Sequence, residues 1–140
     1  MAEIGPVMAI PSYFIWSLKK ILQESGADPK DILFKVGFDT GKNVGDSGET
    51  VLSPDTFTDF LFNHLMESGL GRPKITRYGA SFNINMEESS ESLNRKPPQG
   101  CHYTAGYISG IATSLLNREY KARETECISK HSAVCVFDLA

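Results

Sequence analysis

Cys101, Cys127 and Cys135 are the only cysteines in this chain, and all three fall within its last forty residues. An odd count argues against a disulfide framework and for reduced sulfur. Cys101 stands at the mouth of an apolar helix that runs toward Asn117, where unpaired backbone N–H groups and the helix dipole favour a thiolate. The segment holding Cys127 and Cys135 reads as a hairpin. If residues 120–128 pair antiparallel with 133–139 about a turn at His131, positions 127 and 135 face each other with Cβ atoms about 4.5–5.5 Å apart. Two thiolates at that spacing can share one zinc at about 2.3 Å each. With a third sulfur from the helix start, the set is rich enough in sulfur to select zinc and leaves one ligand to find. Spacing alone does not choose it. On a regular strand Glu124 and Glu126 both point away from Cys127, so Glu124 enters only through a bulge or strong twist between 124 and 127. Glu126, His102 and His131 stay in contention.

Upstream of that cluster, residues 1–11 read as an arm broken by Pro6 and Pro11, 12–71 as mainly helical, and 72–140 as a sheet plus the long helix that opens the metal site. Ser12 is placed to cap a first helix with the stripe Phe14, Leu18, Ile21 and Leu22, closed by Gly26. Tyr13, Ile15 and Trp16 widen that stripe, as further core or as a dimer contact or pocket wall. Asp28-Pro29 opens a second helix. Glycines at 37, 41, 45 and 48 predict that it fades into a loop. Gly41-Lys42-Asn43 lacks the glycine spacing and the strand-turn-helix context of a phosphate loop. Ser53-Pro54 begins a third helix with Phe57, Phe60, Leu61, His64 and Leu65 on one face. His64 is thus an ionisable group on an apolar stripe, either a hydrogen-bonded core residue or the polar anchor of a ligand pocket.

From Pro73 the period becomes two, with Phe82, Ile84 and Met86 alternating against Ser81, Asn83 and Asn85 as in a half-buried strand pair. Residues 87–94 read as a solvated connector whose acids, Glu87, Glu88 and Glu91, face water. In the last helix Ala105, Ile108, Ala112, Leu115 and Leu116 supply the buried face, and Gly106 with Gly110 is expected to permit close packing on the sheet.

A net charge of −3, with no Lys/Arg run longer than two, lacks the electrostatic footprint of a nucleic-acid binder. No apolar run is long enough for a membrane span and no secretory pattern opens the chain, so a cytoplasmic protein with no membrane partner is expected. Neither a nucleotide fingerprint nor an activated nucleophile is visible, and no catalytic residue is assigned.

Gly106-Tyr107-Ile108-Ser109-Gly110, then Glu124-x-x-Cys127, then Cys135-Val136-Phe137, resembles the 4-vinyl-reductase domain family, named for a proposed role in bacteriochlorophyll synthesis. The same domain is the sensor module of phenol- and xylene-responsive transcription activators. The resemblance implies a structural zinc held by Cys101, Glu124, Cys127 and Cys135, and so it selects among the rival fourth ligands. One departure is His131, where the family usually has a turn glycine. The resemblance also implies a single α+β domain with helices packed on a four-stranded antiparallel sheet, as in vesicle-tethering subunits and haem-based nitric-oxide sensors, with a small apolar cavity and a homodimer. No haem is implied, since neither His64 nor His102 reads as an axial ligand. Four protein ligands leave no open position for water, as expected of a structural rather than a catalytic zinc.

The expected function is binding or sensing of a small apolar or aromatic molecule. Stripe position points to Trp16, Phe57, Phe60, His64, Tyr103 and Tyr107 as the pocket wall, and any signal is expected to pass to a separate protein. An enzyme or accessory factor of tetrapyrrole vinyl reduction, and a protein-interaction scaffold, are the alternatives.

Overall fold

The computed structural model describes Met8, Pro11 and residues 13–48, 50–91, 100–127 and 134–140. The capping role expected of Ser12, most of the arm and the turn at His131 lie outside the described residues. In chain order the elements are α1 (Tyr13–Glu24), α2 (Pro29–Asp46), α3 (Pro54–Glu67), β1 (Arg72–Tyr78), β2 (Ser81–Glu87), α4 (His102–Leu115), β3 (Ala122–Glu126) and β4 (Cys135–Leu139). The class is the α+β fold expected, four helices with one four-stranded antiparallel sheet in the order β1-β2-β4-β3.

Local chemistry sets two of the helix starts. Asp28 accepts from the Lys30 N–H ahead of Pro29, and Ser53 accepts from the Thr56 N–H ahead of Pro54. Each side chain satisfies a donor that the first turn leaves unpaired, and each proline sits where its missing N–H costs nothing. The stripe on α3 is as read, with Phe57, Leu61, His64 and Leu65 buried.

Two helices depart from expectation. Instead of fading at its glycines, α2 runs to Asp46 with Gly37, Gly41 and Gly45 all buried. Each glycine costs up to about 1 kcal/mol of helix propensity, but here each is where α4 approaches. A Cβ on Gly41 would stand 2.2 Å from the Tyr107 carbonyl oxygen, and one on Gly37 2.3 Å from that of Tyr103. The partners on α4 are Gly106 and Gly110, where a Cβ would meet the Phe34 and Phe38 carbonyls at 2.1 Å. That glycine pair therefore serves a helix, and its expected contact with the sheet is corrected: two rows of glycines, spaced four apart, bring α2 and α4 together backbone to backbone. On α1 the expected core stripe is not buried. Phe14 and Ile21 are exposed, and the residue α1 does bury is Lys19.

In the sheet, Phe82, Ile84 and Met86 of β2 and Cys135, Phe137 and Leu139 of β4 are buried. They meet Phe57, Leu61 and Leu65 of α3 and Ile108, Ile111 and Leu115 of α4 in one core. β1 pairs with β2 from Arg72↔Glu87 to Tyr78↔Ser81, and β2 with β4 from Phe82↔Leu139 to Met86↔Cys135. Strand β3 is irregular: Ala122 pairs with Leu139 and Glu124 with Phe137, but Glu126 then pairs with Val136. The extra residue is a bulge between Glu124 and Glu126.

Candidate functional site

The bulge decides which carboxylate faces the sulfurs. In a continuous ladder Glu124 and Cys127 would lie on opposite faces, and one inserted residue restores them to the same face. Cys101, Glu124, Cys127 and Cys135 each offer a ligand atom, and these atoms lie within 4.8 Å of one another. Glu126 is exposed on the far side of the bulge, and His102 stays outside the group of four.

The sulfurs form a nearly equilateral triangle: 3.8 Å from Cys101 to Cys127, 3.5 Å from Cys101 to Cys135 and 3.7 Å from Cys127 to Cys135. A tetrahedral zinc with bonds of about 2.3 Å places its sulfur ligands about 3.8 Å apart. None of the three is in a disulfide, and all are buried. Glu124 Oε1 accepts the Cys101 N–H at 3.0 Å, while Glu124 Oε2 is buried without a hydrogen-bond partner. Burial pushes the Glu124 carboxyl up to about 7. The thiols of Cys127 and Cys135, and then burial, push the Cys101 thiol up as well. Four donors that bind metal as anions converge in the interior, and a divalent cation is what would favour their ionised forms. These residues fit a metal ion.

Around this cluster stands a shell that the sequence reading missed. Glu91, expected in water, is buried at 3% exposure and caps α4. Its Oε2 accepts the Tyr103 N–H at 3.0 Å, and its Oε1 accepts the Thr104 N–H at 2.7 Å and the Thr104 hydroxyl at 2.6 Å. A carboxylate there answers the orphan donors and the dipole of the first turn. Glu87 and Glu88 do face water. Buried Ser89 places its hydroxyl 3.4 Å from Cys101 Sγ. Lys19 is the other missed residue, and its signal was legible: at i+4 from Ile15 and i−3 from Leu22 it stands inside an apolar stripe.

The six expected pocket residues divide. Phe60, His64, Tyr107 and Tyr103 stack in one ladder with centroid separations of 5.6, 5.6 and 5.9 Å. The middle rungs, His64 and Tyr107, are buried, while Phe60 and Tyr103 reach the surface in part. Phe57 packs edge-on against Phe82 in the core instead. Trp16 is on α1 with Lys20 Nζ 5.8 Å from its ring centroid. Two surface clefts, one beside Gly71 and Arg72 and one beside Gly45 and Asp46, border none of the six.

His64 Nε2 is 2.5 Å from Tyr107 Oη. Burial holds the imidazole below its ordinary range and raises the Tyr107 phenol, so both are neutral near pH 7. When Tyr107 donates to Nε2, the ring proton sits on Nδ1, and Nδ1 is buried without a partner. An unmatched buried polar atom costs about 1–3 kcal/mol.

Residues 83–140, from β2 through the closing hairpin, match the family model of the 4-vinyl-reductase domain. The family that the Cys/Glu motif resembles is thus shown over that segment. No curated protein matches the chain. Among solved structures, the phenol-responsive sensory domain of the transcription activator PoxR, crystallised with phenol, is similar with a TM-score of 0.74 and 15% identity, over 96% of this chain and 75% of that one. A vinyl-4-reductase family protein from Methanocaldococcus jannaschii gives 0.67 and 18%, over 95% and 82%. A trafficking protein particle complex subunit 3 from Naegleria fowleri, covalently bound to palmitic acid, gives 0.65 and 15%, over 91% and 90%. At these identities the likeness is one of fold.

Proposed function

We propose that this chain is a small-molecule-binding sensory domain whose C-terminal half is clamped by a structural zinc on Cys101, Glu124, Cys127 and Cys135. The observation that carries the sensory reading is the unmatched His64 Nδ1 inside a ladder of aromatic rings. Apolar walls with one convergent polar atom are the chemistry of a small-ligand site, and an oxygen-bearing aromatic such as a phenol would satisfy that atom while stacking on its neighbours. The family match and the fold shared with a phenol-responsive domain support the same reading. The zinc would contribute charge neutralisation and a cross-link between α4 and the hairpin; with four protein ligands it would leave no position for substrate.

Metal analysis of protein purified without added metal tests the clamp, with one zinc per chain expected. Isothermal titration of zinc-loaded protein with phenols and longer hydrocarbons tests the pocket. Binding that weakens at least tenfold in His64→Leu supports it; absence of binding across the series overturns it.

A second reading, a protein-interaction module, draws on a different observation. Tyr13, Phe14 and Ile21 of α1 are 68%, 50% and 58% exposed, an apolar surface suited to a second copy or a partner. A monomer by light scattering at high concentration, unchanged by Phe14→Glu, would remove the homodimer from that reading.

A further inference from the structure

We propose that Lys19 couples the docking of α1 to occupancy of the Cys/Glu cluster, so that α1 is held against the body while the metal is bound and is released when it is lost. The inference rests on the zinc reading above and extends it to a helix that supplies no ligand. Lys19 Nζ donates to the Gly100 carbonyl at 3.1 Å and lies 3.5 Å from Glu91 Oε2, with both side chains almost wholly buried. The peptide unit that accepts from Lys19 through its oxygen donates through its other end, the Cys101 N–H, to Glu124 Oε1 at 3.0 Å. One peptide group therefore stands between the α1 ammonium and two of the four ligand residues. Polarisation along such a chain strengthens both bonds.

Glu91 closes the circuit, since the carboxylate that pairs with Lys19 also caps the first turn of α4, directly after Cys101. Among the described residues, Lys19 is the only lysine or arginine that is buried. Three thiolates and a carboxylate around a divalent ion carry a net charge of about −2, and such sites draw their outer partners from groups like these.

The coupling follows from what α1 does not bury. Lys19 is its only buried residue, so no apolar face anchors the helix independently. A buried ammonium persists only while its acceptors are in place. Metal fixes Cys101 and Glu124, and through them the Gly100 carbonyl. Without it that peptide is free to turn, and Lys19 gains more from water than from a displaced acceptor.

Hydrogen exchange of zinc-loaded and chelator-stripped wild-type protein tests this. Stripping is expected to speed exchange across residues 13–24 at least tenfold, while α2 and the β1–β2 pair hold. In the double variant Lys19→Met with Glu91→Gln, which leaves no charge buried alone, α1 is expected to exchange fast even with zinc present. Zinc should then be held about 10–100-fold less tightly in chelator competition. The coupling is overturned if α1 protection in wild type ignores zinc, if stripping exposes α2 and β1–β2 as much as α1, or if the double variant matches wild type in both readouts. Wild-type protein that takes up no zinc brings down the metal reading and the coupling with it. The metal content shows that outcome before any exchange is measured, so the two failures are distinguishable.

Discussion

Gly100 occupies a backbone position that other residues fill poorly. Its φ is +77°, and a Cβ there would lie 3.0 Å from Glu124 Oε1. Gly100→Ala should therefore cost about 1–2 kcal/mol for the left-handed conformation alone, and should lower zinc affinity because the added methyl crowds the ligand carboxylate. Denaturant midpoints together with metal content check both effects; a variant with full zinc occupancy and an unchanged midpoint contradicts them. His64 carries the pH dependence. Burial lowers its pKa in the folded state, so the unfolded chain binds more protons below the ordinary histidine value of about 6.5. Stability should be complete above that value and decline as pH falls through it. His64→Gln should flatten the decline between about pH 6.5 and 5, as read by thermal midpoints across pH.

At the scale of elements, the contact between α2 and α4 is the most demanding in the molecule. Gly41→Ala aims a methyl at a carbonyl that would be 2.2 Å away, and neither helix can yield without moving its whole row of glycines. A loss of about 1–3 kcal/mol is expected, whereas Val36→Ala on the exposed side of α2 should stay within about 0.5 kcal/mol. Equal effects would mean that the helices tolerate separation. The second element with a specific task is the bulged strand β3. It bends the ladder by one residue at the place where Glu124 must turn inward, and so couples strand register to ligand geometry. Deleting Thr125 should restore a regular ladder, expel the carboxylate and reduce zinc affinity at least tenfold in chelator competition, while the sheet still forms.

Over the whole molecule, a zinc joining α4 to both strands of the closing hairpin would tie the two ends of the C-terminal half together. Binding at about 1,000 times the dissociation constant stabilises by about 4 kcal/mol, so chelation should lower the melting temperature by on the order of 10 °C. A chelated protein that melts where the loaded one does would dismiss the clamp as a stabilising device. Much of this architecture was legible along the chain. Proline and serine signals fixed the starts of α2 and α3, period-two alternation fixed β2, and cysteine spacing placed the cluster, because each depends on neighbours within a few residues. The same local logic failed at the glycines of α2, which are poor helix formers until another backbone lies against them, and at Glu91 and Lys19, whose charges belong in water until each finds the other. Residue order thus determined the helix and strand types, the apolar faces and the set of atoms available to a metal. Only tertiary structure decided the bulge that turns Glu124 inward, the glycine seam between α2 and α4 and the buried ion pair beneath the cluster, because each is stabilised by a partner far along the chain or by a register that pairing alone sets.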